Sequence, residues 1–409
     1  MGTEKRISRR PLRHLAGFLS LCAGSLAFSV GTQIPPKALG GGVDPAAWVH
    51  LAAGAGPMIQ TQMAALDAVQ QQIALHDNQP IGTFASIYGG QWQYDHCIGT
   101  YGMPGVMVPD QESLMPFCGK HGGFLVGSDR FTKMFGGSVR MGAVLGFNTW
   151  RTDYGFDSLE SAFGPCYAAT HYSGWWKSGL GAIFAGYETY DADHLKTNTF
   201  SHFLLMSGRE GMFKMKDLNL QGSIGGKKQV CRCNSGLICG PWWDLSLTYR
   251  HQGRANVITP GIPFTGADPA YCSTHFRTNS IHHLYVTGLF GLALDTDLWQ
   301  SPTGDQGLNF HAKLGWQQRA LLGRKTLVSS AKKLDINDPS WPDWFTSPIG
   351  VPINHGPRGM FVYSFGLSGN VAKGWEATAQ VDGSYAKVYT NRELTYTTIS
   401  GSLSVNRSF

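Results

Sequence analysis

Few stretches of this 409-residue sequence bring together residue types that do chemistry. Cys231, Cys233 and Cys239 crowd among Lys227, Lys228 and Arg232. Thiolates so spaced can ligate zinc, but a fourth ligand at a fitting interval is missing; in an oxidising compartment the same thiols pair as disulfides. Cys22 lies in a leader-like segment, which leaves an odd number of the 8 cysteines, so at least one is unpaired within the chain. Cys97 and Cys118 bracket one long connection and are the expected disulfide. Ser280, His282 and His283 sit close together, and His251 adjoins Arg250. A hydrolase would need such a nucleophile and base, yet no nucleophile motif surrounds them. The 14 histidines are scattered, as residues lining an interior and its loops would be. No enzyme is expected, and no catalytic, cofactor-binding or metal residue is assigned. No phosphate-binding loop is present. Lys5, Arg6, Arg9, Arg10 and Arg13, offset by Glu4, hold +4 of the formal net charge of +6, so no basic run remains for nucleic acid.

The elements that would carry these residues alternate in twos, as strands do. In the closing stretch, Ile399, Gly401, Leu403, Val405 and Phe409 share one face, and Ser400, Ser402, Ser404, Asn406 and Ser408 the other. Trp375, Ala377, Ala379 and Val381 oppose Glu376, Thr378, Gln380 and Asp382. Leu308, Phe310, Ala312 and Leu314 oppose Asn309, His311 and Lys313. Trp243, Leu245, Leu247 and Tyr249 oppose Asp244, Ser246, Thr248 and Arg250. Met141, Ala143, Leu145 and Phe147 oppose Arg140 and Gly142, with Val144 on the wrong face. A soluble sandwich also alternates, but with strands of about 5–6 residues rather than ten or more. Charged residues are only 15%, against roughly 25% in soluble domains.

Twelve strands are expected, at 81–96, 119–131, 136–151, 163–176, 179–193, 215–226, 240–253, 280–295, 306–319, 358–370, 373–388 and 393–409. Long and short connections between them take turns, as in bacterial outer-membrane barrels, whose outer loops are long and inner turns short. Trp175, Trp176, Trp242, Trp243 and Trp375 beside inner turns, and Trp92, Tyr94 and Trp150 at outer strand ends, suggest aromatic girdles at both interfaces. The fold class is therefore all-β: a 12-stranded antiparallel transmembrane β-barrel with an N-terminal α-helix. Residues 1–29 read as a signal peptide, with a basic start, an apolar Leu15–Phe28 and small residues near Ser29. Residues 30–57 are a Gly- and Pro-containing linker or remnant passenger, and 58–80 a helix and its linker. The barrel itself fills 81–409. From Met58 to Leu75, Ile59, Met63, Leu66 and Ile73 share one side at helical spacing, while Gln62 and Gln70 belong to the polar remainder. At ~1.5 Å per residue this rod is ~27 Å long, about one bilayer core.

A membrane-length helix, twelve strands and a terminal Phe together resemble the translocator (β-barrel) domain of autotransporters, the type V secretion proteins. Gly122–Gly123–Phe124–Leu125–Val126–Gly127–Ser128–Asp129–Arg130 and Val405–Asn406–Arg407–Ser408–Phe409 are the most family-like stretches. The resemblance implies that the helix threads the lumen, against a wet wall lined by Arg140, Asp244, Arg250, His311, Lys313, Glu376 and Asp382. It implies an assembly signal in Leu403, Val405 and Phe409, from which Arg407 departs; near the strand end Arg407 can snorkel to headgroups. It further implies a monomer in the outer membrane of a Gram-negative-type cell, exported through a cleaved signal peptide, with outer-membrane lipid and the barrel-assembly machinery as partners and no nucleic acid. Its activity would be export or display of the segment before the helix. A porin-like pore, a surface protein displaying its own loops, an outer-membrane hydrolase and a soluble secreted β-protein are the alternatives.

Overall fold

Alternation with no free margin leaves a long sheet one solution, which is to close on itself. The computed structural model describes residues 55–75, 82–100, 112–156, 159–161, 164–166, 170–210, 215–233, 236–254, 256–259, 274–301, 307–323, 326–333, 349–352, 357–389 and 393–408. A helix, α1 (Ala55–Leu75), precedes the strands β1 (Gly82–Thr100), β2 (Glu112–Met134), β3 (Gly137–Phe156), β4 (Thr170–Tyr190), β5 (Lys196–Glu210) and β6 (Lys216–Lys228). They are followed by β7 (Ile238–Gln252), β8 (Ile281–Gln300), β9 (Gly307–Gly323), β10 (Gly359–Ala372), β11 (Trp375–Tyr389) and β12 (Glu393–Ser408). Each strand pairs antiparallel with the next. β12 then returns to β1, from Gly82↔Ser408 to Tyr94↔Tyr396. The result is a closed twelve-stranded antiparallel barrel with one helix inside.

Two rims follow from the connections. Residues 135–136, 191–195, 229–237, 301–306 and 373–374 join strands at one end, where β1 starts and β12 finishes. At the other end lie 101–111, 157–169, 211–215, 253–280, 324–358 and 390–392. The two longest of these carry a sheet of their own, in the order Asn256–Thr259, Thr274–Thr278, Thr326–Lys333, Ile349–Pro352. Outward positions are apolar at mid-height: Leu145, Phe290, Ile183 and Leu292 are each more than 60% exposed on the isolated chain. A soluble monomer seldom presents so wide an apolar band. Inward positions carry the serines, asparagines and most buried charges.

Several glycines follow from side chains laid across the opposing strand. Tyr88 faces Gly123, Phe84 faces Gly127, and His311 faces Gly366 in register. A Cβ at Gly123 would lie 2.6 Å from Oη of Tyr88, and one at Gly366 1.9 Å from Nε2 of His311. Only glycine leaves room for such rings against the backbone.

Four expectations change. Residues 170–176 and 179–190, taken from two expected strands (163–176 and 179–193), belong to one strand, β4, and the supposed turn at 177–178 lies within it. Lys177 points outward and Ser178 inward, so neighbouring polar residues each find a polar place inside a strand. The strand β5 falls within the expected outer loop 194–214. Its alternation is faint because Leu204 and Met206, on the inward face, are as apolar as Phe203 and Leu205 outside. The helix starts at Ala55, and Pro57 stands in its first turn, where its missing N–H breaks no helical bond. Finally, Trp92, Trp150 and Trp176 are turned into the lumen rather than toward an interface. Trp150 and Trp176 are register partners with rings stacked 4.7 Å apart, and Trp92 stacks on Tyr396 at 6.1 Å across the β1–β12 seam.

Candidate functional site: a helix gripped inside the barrel

The apolar stripe of α1 needs a wall to pack on, and the inward faces of neighbouring strands supply it. Met63, Leu66, Val69 and Ile73 are buried in one cluster with Phe84 and Tyr88 of β1, Leu125 of β2, Val144 of β3, Leu180 of β4, and Leu204 and Met206 of β5. Val144, out of step with its strand's apolar face, is thus a luminal contact. The lumen is not uniformly wet: one side of it is a hydrophobic core.

The other side is polar and bonded to the helix. Gln62 donates through Nε2 to Asp217 of β6 and accepts at Oε1 from Nε of Arg250 on β7. Both wall residues are braced, since Asn219 donates to Asp217 at 3.0 Å and Arg250 donates to Gln252 at 2.8 Å. Nε2 of Gln70 donates to Asp244 of β7 at 2.7 Å, and the hydroxyl of Ser223 donates to the same carboxylate at 3.0 Å. Arg319 of β9 forks onto Asp67 at 3.0 and 2.9 Å. Near the start of the helix, Nε1 of Trp92 on β1 donates to Oγ1 of Thr61 at 2.8 Å. The bonded walls face each other across the helix, which fixes its rotation and its height. Arg250 and Gln62 are fully buried, where an unpaired group costs most, so these bonds specify one seating.

Most of the expected residues sit near this helix or on the luminal wall. Gln62, Met63, Leu66, Gln70 and Ile73 all contact the wall; the side chain of Ile59 lies outside the described residues. Arg140 pairs with Asp129, which also accepts from the backbone N–H of Gly82 at 2.8 Å. Asp382 accepts from Gln380 at 2.5 Å. Lys313 lies over the Trp242 ring at 5.2 Å, and Glu376 lines a cleft at the short-turn rim with Asp297, Asn309 and Asn370. His311 lies inward over Gly366. Leu403 and Val405 face outward on β12, while Phe409 lies outside the described residues. Arg407 stacks on Trp375, its register partner, at 5.5 Å. The sequence reading missed Thr61, Asp67, Asp217 and Arg319. One signal for them existed: Asp67 is the only charged residue of α1.

The candidate chemistry of the sequence is dispersed. His282 points outward and His283 is buried on the luminal side, so the pair cannot serve one centre. Nδ1 of His282 instead shares a hydrogen bond with the Tyr249 hydroxyl at 2.7 Å, and its ring lies 4.5 Å from that of His251. Cys118 stands opposite Gln93, while Cys97 stands opposite Met115. The two are three residues out of register, about 10 Å along the strands, beyond the ~7 Å that a disulfide spans. Cys231 and Cys239 are register partners on the hairpin between β6 and β7. Among the described residues, no group of three or more His, Cys, Asp or Glu is arranged to hold a metal.

No protein-family model matches the sequence, and no curated protein matches it. Solved structures similar in shape include the β domain of the Bordetella autotransporter Brka, at 12% identity, covering 81% of this chain and 100% of that one, with a TM-score of 0.45. The translocator domain of the autotransporter NalP from Neisseria meningitidis is similar at 14% identity, 85% and 97% coverage and a TM-score of 0.45. The transport unit of AIDA-I from Escherichia coli follows at 11%, 81% and 92%, and 0.44. At these values the likeness is loose.

Proposed function

We propose that this chain is an outer-membrane barrel of the autotransporter translocator kind, which anchors in lipid and holds, through α1, the segment before residue 55 at the outer face. The polarity of the gripped helix carries this reading. Thr61, near its start, meets Trp92 toward the long-connection end of β1, whereas its last residue, Leu75, is followed within a few positions by Gly82 at the short-turn rim. The chain therefore leads through the lumen from the long-loop side to the first strand. Closure pairs every strand's backbone groups, as hydrocarbon surroundings require, and the apolar outer band supplies the lipid contact. The barrel acts as a monomer, the outward Leu403 and Val405 of β12 are what the assembly machinery reads, and no catalytic step or cofactor is included.

The test is a tag placed just before residue 55, with a second tag in the 135–136 turn, probed on intact cells. The first is expected to be labelled and the second only after permeabilisation; the reverse pattern sinks the reading. A second reading, display of the barrel's own loops, is favoured by the four-stranded sheet built on β7 to β10. Removal of residues 256–278 would abolish any surface interaction under that reading and leave the tag before residue 55 exposed.

A further inference from the structure

One cross-strand pair at the long-loop end of the outer face brings two imidazoles together. His251 of β7 and His282 of β8 are register partners, both pointing outward. Their ring centroids lie 4.5 Å apart, with the planes inclined at 37°. Directly opposed residues on one face of a sheet carry Cβ atoms about 4.5–5.5 Å apart. From there two imidazoles can bring one nitrogen each to ~3 Å from the other. That is the separation of neighbouring ligands held ~2.0–2.1 Å from a single ion.

The nitrogens are arranged for this. Nδ1 of His282 is taken by the Tyr249 hydroxyl at 2.7 Å, which leaves Nε2 as its ligating atom. With an ion on Nε2, Nδ1 carries the proton and donates to the tyrosine oxygen, the outer hydrogen bond that fixes the ring of a metal-bound histidine. Nδ1 of His251 is buried and meets no hydrogen-bond partner. Its cross-strand neighbour on the other side is Leu218, which offers it nothing polar. A buried ring nitrogen is ordinarily paired, and an ion between the two rings would supply the missing partner.

The surroundings say which ion. Lys216, bonded through its carbonyl to the N–H of Gly253, and the exposed Arg254 lie next to the pair. They repel a free cation, so binding has to come from the nitrogen lone pairs and not from local negative charge. Calcium and magnesium, which need oxygen ligands, are excluded on that ground. Imidazole suits zinc, nickel and copper, and the order of affinities puts copper(II) first.

We infer that His251 and His282 form a two-nitrogen site for a divalent transition-metal ion, copper(II) foremost, with solvent completing the coordination. Tyr249 is a positioning residue for His282. The ion would clasp β7 to β8 at the foot of the 253–280 connection. The site stands on strand register and does not depend on the membrane reading.

The full chain, folded in detergent and with its thiols alkylated, would be titrated with copper(II) chloride in a glycine buffer that competes for weakly held copper. One bound copper per chain is expected, with nitrogen hyperfine splitting in its electron paramagnetic resonance spectrum. H251Q and H282Q should each weaken binding by at least about tenfold. Y249F should weaken it by about tenfold and keep the nitrogen splitting. H194N, in the turn at the opposite rim, should bind as the parent does. Heat-modifiable gel mobility reports whether each variant is folded. Peptide mapping of the parent chain after diethyl pyrocarbonate treatment needs no variant: copper is expected to shield His251 and His282 but not His194. Parent-like binding by folded H251Q or H282Q, displacement of copper by millimolar calcium, or equal modification of the two histidines with and without copper would overturn the site.

Discussion

Arg319 and Asp67 join wall and helix through a forked pair, Nη2 of the arginine donating to both carboxylate oxygens at 3.0 and 2.9 Å. The arginine side chain is 6% exposed and the aspartate 33%. Breaking a buried pair from one side leaves the other charge without compensation, typically at ~3–5 kcal/mol; partial exposure here reduces that. Asp67→Ala is expected to destabilise the folded barrel by about 2–3 kcal/mol. The measurement is the temperature at which gel mobility changes from folded to unfolded. Asp67→Leu combined with Arg319→Met should recover most of the loss, and no recovery would mean that the pair is not the cause.

Gln62 is held at both ends of its amide, by Asp217 and by Arg250. Gln62→Ala strands two buried charged partners and is expected to cost about 1–3 kcal/mol. Gln71→Ala, at a half-buried position of the same helix, is expected to stay within ~0.5 kcal/mol. Urea midpoints of the two variants in detergent, compared with the parent chain, decide between this ranking and a uniform effect.

The same grip bears on conduction. With α1 seated, the intact chain is expected to show little ion current in planar bilayers, and deletion of residues 55–75 to open steps of current through a twelve-stranded lumen. Equal currents from the two proteins would mean that the helix does not obstruct the pore.

Tyr88 needs the bare backbone of Gly123. A side chain there meets both the phenol at 2.6 Å and the carbonyl oxygen of Phe147 at 2.4 Å. Gly123→Val is expected to cost about 1–3 kcal/mol through overpacking, whereas Gly222→Ala, which points into open space, should be tolerated. Folded yield after dilution from denaturant is a sufficient readout.

Cys231, exposed, and Cys239, half-buried, lie directly opposite each other as thiols on the hairpin between β6 and β7. Directly opposed residues have Cα atoms about 4.5–5.5 Å apart, within disulfide range. Oxidised glutathione is expected to close an intramolecular bond between them, the two thiols losing two hydrogens as glutathione disulfide is reduced to two thiols. Peptide mapping should find this pair joined and Cys233 still reactive; a Cys97–Cys118 product would contradict the register.

Reading in twos found the barrel because outer face and lumen carry opposite chemistry on neighbouring positions, and Leu245 and Asp244 obey that rule side by side. It failed where α1 reverses the inner half of the rule. Leu204 and Met206 are luminal yet apolar, so β5 carried no contrast and passed for a loop. Lys177–Ser178 failed for the opposite reason: an outward cation beside a luminal hydroxyl looks like a polar turn. The helix was legible as a stripe, and Gln62 and Gln70 as its polar flank. Their partners were not, since Asp217 and Arg250 are 155 and 188 residues away from Gln62. Trp92, Trp150 and Trp176 were misplaced because a tryptophan at a strand end looks the same whichever way it faces.

The seam between β12 and β1 sets a time order on the making of this molecule. A hoop fastened around a rod cannot admit that rod from the side, and this one is clasped at Thr61, Gln62, Asp67 and Gln70 by strands from the first to the ninth. The rod has to be in place before the first and last strands zip together, or be drawn in lengthwise against those clasps afterwards. Synthesis puts the helix ahead of every strand and the fastening strand last, so the sequence of manufacture already runs in the direction that the finished object demands.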